Sequence, residues 1–150
     1  MFTKACEYAI RAVLFIAMKS VDGSRLGIPE IARAIDSPVP FTAKILQTLV
    51  RKKIISSIKG PNGGFYLDPK AKPIPINAVV KAIDGDDVLS SCALGLKKCS
   101  DSFLCPVHHE VKLYKDKLKE VFKDTSIQSA ARDVLQGKAY LKNYNPRSSR

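Results

Sequence analysis

From Ala5 onward, Tyr8, Ala9, Ala12, Val13 and Ile16 recur at the three-and-four spacing of one helix face, predicting a first core helix that ends before the turn at Asp22 and Gly23. Ile28, Ile31, Ala32 and Ile35 repeat that spacing over a shorter stretch. Pro29 falls in the first turn of this second helix, where its missing N–H has no intrahelical acceptor to lose. Asp36, Ser37 and Pro38 break it. A third helix from Pro40 to about Lys52 turns Ile45, Leu46, Leu49 and Val50 inward and is expected to leave Thr42, Lys44, Gln47, Thr48 and Arg51 in solvent. The pattern then changes from helical to extended. Ile54 to Ile58 is a β-rich run, Lys59 to Gly64 reads KGPNGG, and Phe65, Tyr66 and Leu67 form a second strand-like run, so a hairpin with a glycine-rich tip is expected.

Two helices joined by a short turn and followed by a hairpin are the order of elements in a winged helix-turn-helix, whose second paired helix enters the DNA major groove. Further on, Asn77 begins a brief helix through Val79, Val80 and Ile83, with Gly85 as its expected left-handed cap. A loop runs from Asp86 to Pro106. Val107, Val111, Tyr114, Leu118 and Val121 then alternate steps of four and three, the seam of a helix that packs on another helix, and a second copy of the chain is the expected mate. Lys112, Lys115, Lys117 and Lys119 fall elsewhere on that helix as expected solvated positions. Thr125 and Gln128 predict a capping box for a last helix, with Ile127, Ala130, Ala131, Val134 and Leu135 on its apolar face and a stop at Gly137. The expected architecture is mainly α with a small β-hairpin wing. Residues 1–85 form a winged helix-turn-helix DNA-binding domain, 86–106 a cysteine-bearing cluster loop, 107–137 long dimerisation helices, and 138–150 a basic C-terminal tail.

Composition narrows the partner. With 150 residues, 45% of them hydrophobic, the chain can bury one core of ordinary size. A formal net charge of +11 points to a polyanion, either nucleic acid or an acidic membrane surface. Lys4, Glu7 and Arg11 interrupt the apolar start, and Ala12 to Met18 is too short to span a bilayer, so a soluble, cytoplasmic protein without a membrane partner is expected. Nothing reads as a serine, histidine and carboxylate set or as a phosphate-binding glycine loop, so neither an enzyme nor a small-molecule substrate is expected.

The cysteines add candidate chemistry. Four of them in a chain expected to stay in the reducing cytosol argue against a disulfide framework. Cys92, Cys99 and Cys105 lie in one loop, separated by six and then five residues, and His108 follows three positions later. Thiolates converging on a soft metal must approach from different directions, which an irregular loop permits. The gaps differ from the paired two-residue gaps of zinc ribbons. The pattern favours an iron-sulfur cluster; zinc or another single metal, a redox thiol, and ordinary packing are the alternatives. Cys6 reads as a small packing residue, and His109 as a surface histidine.

Ile31-Ala32, FTAKIL at 41–46, Leu49, IISSI at 54–58 and KGPNGGFYL at 59–67, followed by Cys92, Cys99 and Cys105, together resemble the IscR/NsrR/CymR-type family of bacterial winged-helix regulators. The resemblance covers nearly the whole chain. It implies a homodimeric transcription factor, often a repressor, that binds double-stranded DNA at a partly palindromic operator. It also implies a two-iron two-sulfur or, alternatively, four-iron four-sulfur cluster that senses iron-sulfur status, nitric oxide or redox state and can be absent from purified protein. By position, Cys92, Cys99 and Cys105 match the cluster ligands. His108 matches the fourth ligand of the IscR branch, and Glu7 the carboxylate that a partner subunit supplies in other members. CymR-type members lack a cluster, so a cluster-free regulator with thiol-based or partner-based sensing is the alternative. Thr42, Lys44, Gln47, Thr48, Arg51, Lys59 and Asn62 are the expected DNA-binding residues, with the cations on phosphates and Thr42, Lys44 and Gln47 reading base edges. Lys59 stands where many members have arginine, and Pro38, Pro40 and Ala43 replace common polar residues, so the operator sequence does not transfer from a relative.

Overall fold

The computed structural model describes residues 2–97 and 100–141. Cys99 and positions 142–150 of the expected basic tail lie outside the described residues. Helix α1 (Lys4–Ser20) begins at Thr3, whose extended backbone and side-chain oxygen cap it by accepting from the Cys6 amide at 3.1 Å. Its apolar spacing predicts one buried face, yet every residue from Ala12 to Met18 is buried. The reason is tertiary. Helices α2 (Ile28–Ile35), α3 (Val39–Arg51) and α4 (Ile76–Asp84) pack around α1, and α6 (Ile127–Leu135) covers it with Ile127, Ala131 and Val134.

The paired helices α2 and α3 are closed by residues with positive φ. Asp36, at φ 56°, lets the Ser37 amide reach the Ala32 carbonyl at 3.0 Å. Lys53, at φ 59°, does the same for α3, whose Leu49 carbonyl accepts from the Ile54 amide at 3.0 Å.

The wing consists of β1 (Ser56–Ile58) and β2 (Gly64–Tyr66), antiparallel, with Ser57 opposite Phe65. Ile54 and Ile55, expected in the first strand, are instead buried and anchor the hairpin in the core. Leu26 adds a one-residue bridge, exchanging backbone hydrogen bonds of 2.9 and 2.8 Å with Phe65. That approach requires a glycine at position 64, where φ is +146° and a Cβ would sit 2.7 Å from the Leu26 carbonyl oxygen. Ser20 joins the end of α1 to the wing exit: its hydroxyl donates to the Ile16 carbonyl at 2.7 Å and accepts from the Leu67 amide at 2.9 Å.

The C-terminal half departs from the predicted capping. Gly85 caps α4 with a positive φ of 85°, its amide donating to the Lys81 carbonyl at 3.1 Å, but its ψ of 178° lies outside the left-handed helical region. Helix α5 (His108–Asp124) follows the cysteine loop. Ser126, and not Thr125, caps α6 by accepting from the Ser129 amide at 3.0 Å. Gln128 does not complete a capping box, because its side chain spans to the segment before α4. There it accepts from the Ile74 amide at 2.9 Å and donates to the Lys72 carbonyl at 3.1 Å. The Ile127 amide also donates to the Ile74 carbonyl at 2.7 Å. Helix α6, grouped by sequence with the dimerisation helices, is thus built into the core around α1. Among the described residues no helix is long and apolar enough to cross a membrane.

Candidate nucleic-acid interface and cysteine loop

Helix α3 presents Lys44, Gln47 and Arg51 to solvent on one face, with Lys59 and Asn62 exposed on the wing. Thr42 is corrected by the structure: it is fully buried, and its hydroxyl donates to the Pro38 carbonyl at 3.0 Å. A threonine in the first turn can turn its methyl group to the core and return its hydroxyl to a carbonyl four residues back, so it does not belong to the outward face. Thr48 is half-buried, and its hydroxyl donates to the Lys44 carbonyl and accepts from Arg51, both at 3.1 Å. Edge-to-face packing of Tyr8 on Phe41, with ring centroids 5.7 Å apart, sets the start of α3 against α1.

The loop after α4 folds against α5 and borders an open cavity of about 250 Å³ lined by Cys92, Asp101, Cys105, His108, Val111 and Lys112, among others. Cys105 is buried, Cys92 half-buried, and the His108 side chain only 9% exposed. Asp101 binds Lys112 through both carboxylate oxygens, at 2.9 and 3.1 Å, and lies 3.2 Å from His108 Nε2. The hydrogen bond from Lys112, followed by that from His108, holds the Asp101 carboxyl below its usual range and raises the Lys112 ammonium in return. Lys115 donates to the Ser91 carbonyl. Lys112 and Lys115, predicted as merely solvated, therefore pin the loop to α5. Sequence reading missed Asp101; the one available signal was a carboxylate lying between two of the clustered cysteines.

Two thiols on irregular loop backbone and an imidazole at the start of α5, around one cavity, are a donor set suited to a soft metal centre. Among the described residues, no three histidine, cysteine, aspartate or glutamate side chains are grouped as they would be around a metal ion. Glu7 is not among the cavity residues; it pairs with Lys4 at 2.9 Å, and that hydrogen bond lowers its carboxyl pKa. Cys6 is fully buried and is not among the cavity residues, and burial, then the charge of Asp84, pushes its thiol up to about 12. The Asp84 carboxylate also accepts from the Thr3 amide at 3.0 Å and from the Thr3 hydroxyl.

No residue of α5 is fully buried, and its seam includes exposed Val107 at its N-cap, Tyr114 and Val121. Tyr114 is 76% exposed, and Leu113 beside it is 68% exposed. A helix-turn-helix with a hairpin wing, carrying a basic face on its second paired helix, defines a DNA-binding regulator. The sequence profile of the Rrf2 family, iron-dependent transcriptional regulators, matches residues 2–133, and the chain belongs to that family. An HTH-type transcriptional regulator of Aquifex aeolicus is 30% identical over 129 residues, covering 85% of this chain and 88% of its own. The HTH-type transcriptional regulator NsrR of Oceanobacillus iheyensis is 29% identical over 109 residues, covering 72% and 74%. In fold, the chain is similar to CymR, the global cysteine regulator of B. subtilis, with a TM-score of 0.72 at 16% identity over 88% of this chain and 96% of that one. The family is one of DNA-binding transcriptional regulators and not of enzymes.

Proposed function

We propose that the chain acts in the cytoplasm as a homodimeric repressor whose occupancy of a partly palindromic operator is set by an iron-sulfur cluster in the 86–106 loop. The observation that carries this reading is that Cys92, Cys105 and His108, picked out from sequence as ligands, line one cavity between the loop and α5. Cys92, Cys99 and Cys105 are the assigned thiolate ligands, with His108 as the fourth and Glu7 of the partner subunit as its alternative. A two-iron or four-iron cluster bound there would supply a group sensitive to oxidants and nitric oxide whose gain or loss changes the restraint on the loop.

The chain's own residues carry that restraint to the DNA. The loop leaves α4, which packs on α1 and α3, and ends at α5, so its order bears on the angle between the recognition unit and the dimer helix. Val107 at the N-cap and Val111, Tyr114, Leu118 and Val121 of α5 are the seam assigned to the second copy, with Val107, Tyr114 and Val121 exposed and Val111 and Leu118 half-buried. Pairing through it sets two α3 faces in successive major grooves, with Lys44, Gln47, Thr48 and Arg51 at the groove and Lys59 and Asn62 on the wing. A change of about 1.4 kcal/mol between the two loop states shifts affinity tenfold.

Strictly anaerobic purification, with absorbance, iron and sulfide analysis, followed by promoter-DNA titration of loaded and stripped protein, tests the reading. Bound iron and sulfide, and an affinity that changes about tenfold on stripping, are expected. Iron-free protein whose binding responds only to thiol oxidants would establish the cluster-free alternative. Serine at all three loop cysteines with no effect on binding or its response to nitric oxide, oxygen or iron starvation would remove the loop from regulation altogether.

A further inference from the structure

Away from α3 and the cysteine loop, the foot of the wing carries an exposed arginine in a constructed setting. Arg25 immediately precedes Leu26, the residue that pairs with β2. Its guanidinium donates from Nη1 to the Asn62 carbonyl near the wing tip at 3.2 Å. The guanidinium carbon also lies 5.8 Å from the centre of the Tyr66 ring on β2. Among the described residues no carboxylate pairs with it. A segment outside the hairpin thus touches both the wing tip and its second strand, and it holds a fixed positive charge there.

That arrangement has two physical consequences. A two-stranded hairpin is marginal by itself, so ties from outside decide where its tip stands. A guanidinium also presents five N–H donors in a planar fork matched to two oxygens of a phosphate, and the contact to the wing tip here uses a single donor. On a chain of net charge +11, the ligand that suits the rest of the fork is a phosphodiester.

We propose that Arg25 is a DNA-binding residue with two tasks. It holds the wing tip through the Asn62 carbonyl, and it offers its outward N–H groups to a backbone phosphate beside the groove that α3 occupies. The proposal rests on the DNA-binding reading above and is independent of any cluster.

The test uses the full chain, a promoter fragment and an unrelated duplex of equal length, titrated between about 50 and 200 mM salt. Arg25→Gln keeps a donor for Asn62 and loses the charge, Arg25→Ala loses both, and Arg25→Lys keeps the charge. In the alanine and glutamine variants the slope of log affinity against log salt is expected to fall by about one, with both duplexes weakened to a similar degree; lysine retains the slope. Hydrogen exchange at the Leu26 and Phe65 amides is expected to quicken in the alanine variant more than in the glutamine one. An unchanged slope in both uncharged variants overturns the phosphate contact, and unchanged exchange in Arg25→Ala overturns the tie. Wild-type protein that binds neither duplex would instead overturn the DNA-binding reading, and the proposal with it.

Discussion

Replacing Ile127 by alanine asks whether α6 belongs to the same cooperative unit as the recognition helix. Ile127 is fully buried in the cluster that also holds Val13 and Ile16 of α1 and Leu46 and Leu49 of α3. The change deletes three buried carbons, a transfer loss of about 2.4 kcal/mol at about 0.8 kcal/mol per carbon. The central helix α1 is buried on all sides from Ala12 to Met18 and has little room to settle into the void, so a cavity contribution brings the expected loss to about 3–4 kcal/mol. With a urea dependence of about 2 kcal/mol per molar, the unfolding midpoint falls by about 1.5–2 M. Circular dichroism during urea unfolding, at one fixed protein concentration, measures it against Arg132→Ala on the exposed side of the same helix, which is expected within about 0.5 kcal/mol of wild type. An Ile127→Ala midpoint that matches wild type, or a separate early transition that leaves the remainder intact, would refute the placement of α6 in the shared core.

Cys6 is expected to escape alkylation at pH 8 until the chain is unfolded, as peptide mass spectrometry would report, because only the thiolate reacts and burial keeps the thiol neutral. Its ordinary ionisation near 9 is raised to about 12 in the fold, so the unfolded chain releases that proton first. Stability present below pH 9 therefore declines as pH rises from about 9 to about 12, and Cys6→Ala should lack this part of the alkaline slope in denaturant titrations. Thr42→Val should cost about 0.5–1.5 kcal/mol, the worth of its buried hydrogen bond to Pro38, while leaving DNA affinity unchanged. Unchanged stability with weakened DNA binding would reverse that assignment.

Much of the architecture is legible in the chain because it depends on local periodicity. The three-and-four spacing marks α1, α2 and α3 as helices and, in α2 and α3, reports which side avoids water, and KGPNGG between two β-rich runs reports the hairpin. The exposed seam of α5 is likewise a matter of spacing, as is the grouping of thiols in one loop. Spacing did not place Thr42, since a residue that is half methyl and half hydroxyl satisfies either side of a helix, and only the Pro38 carbonyl and the packed start of α3 decide between them.

Periodicity in this chain therefore determines which segments become helix or hairpin and which of their faces need cover. It does not say what provides the cover. Covering α1 with α6, turning Gln128 from a cap into a clamp on Ile74 and seating Arg25 at Asn62 were all decided by tertiary packing. The physical reason is range. A backbone turn or an apolar stripe is selected by neighbours a few residues away, whereas these contacts bring together groups far apart in the chain only after the core has closed.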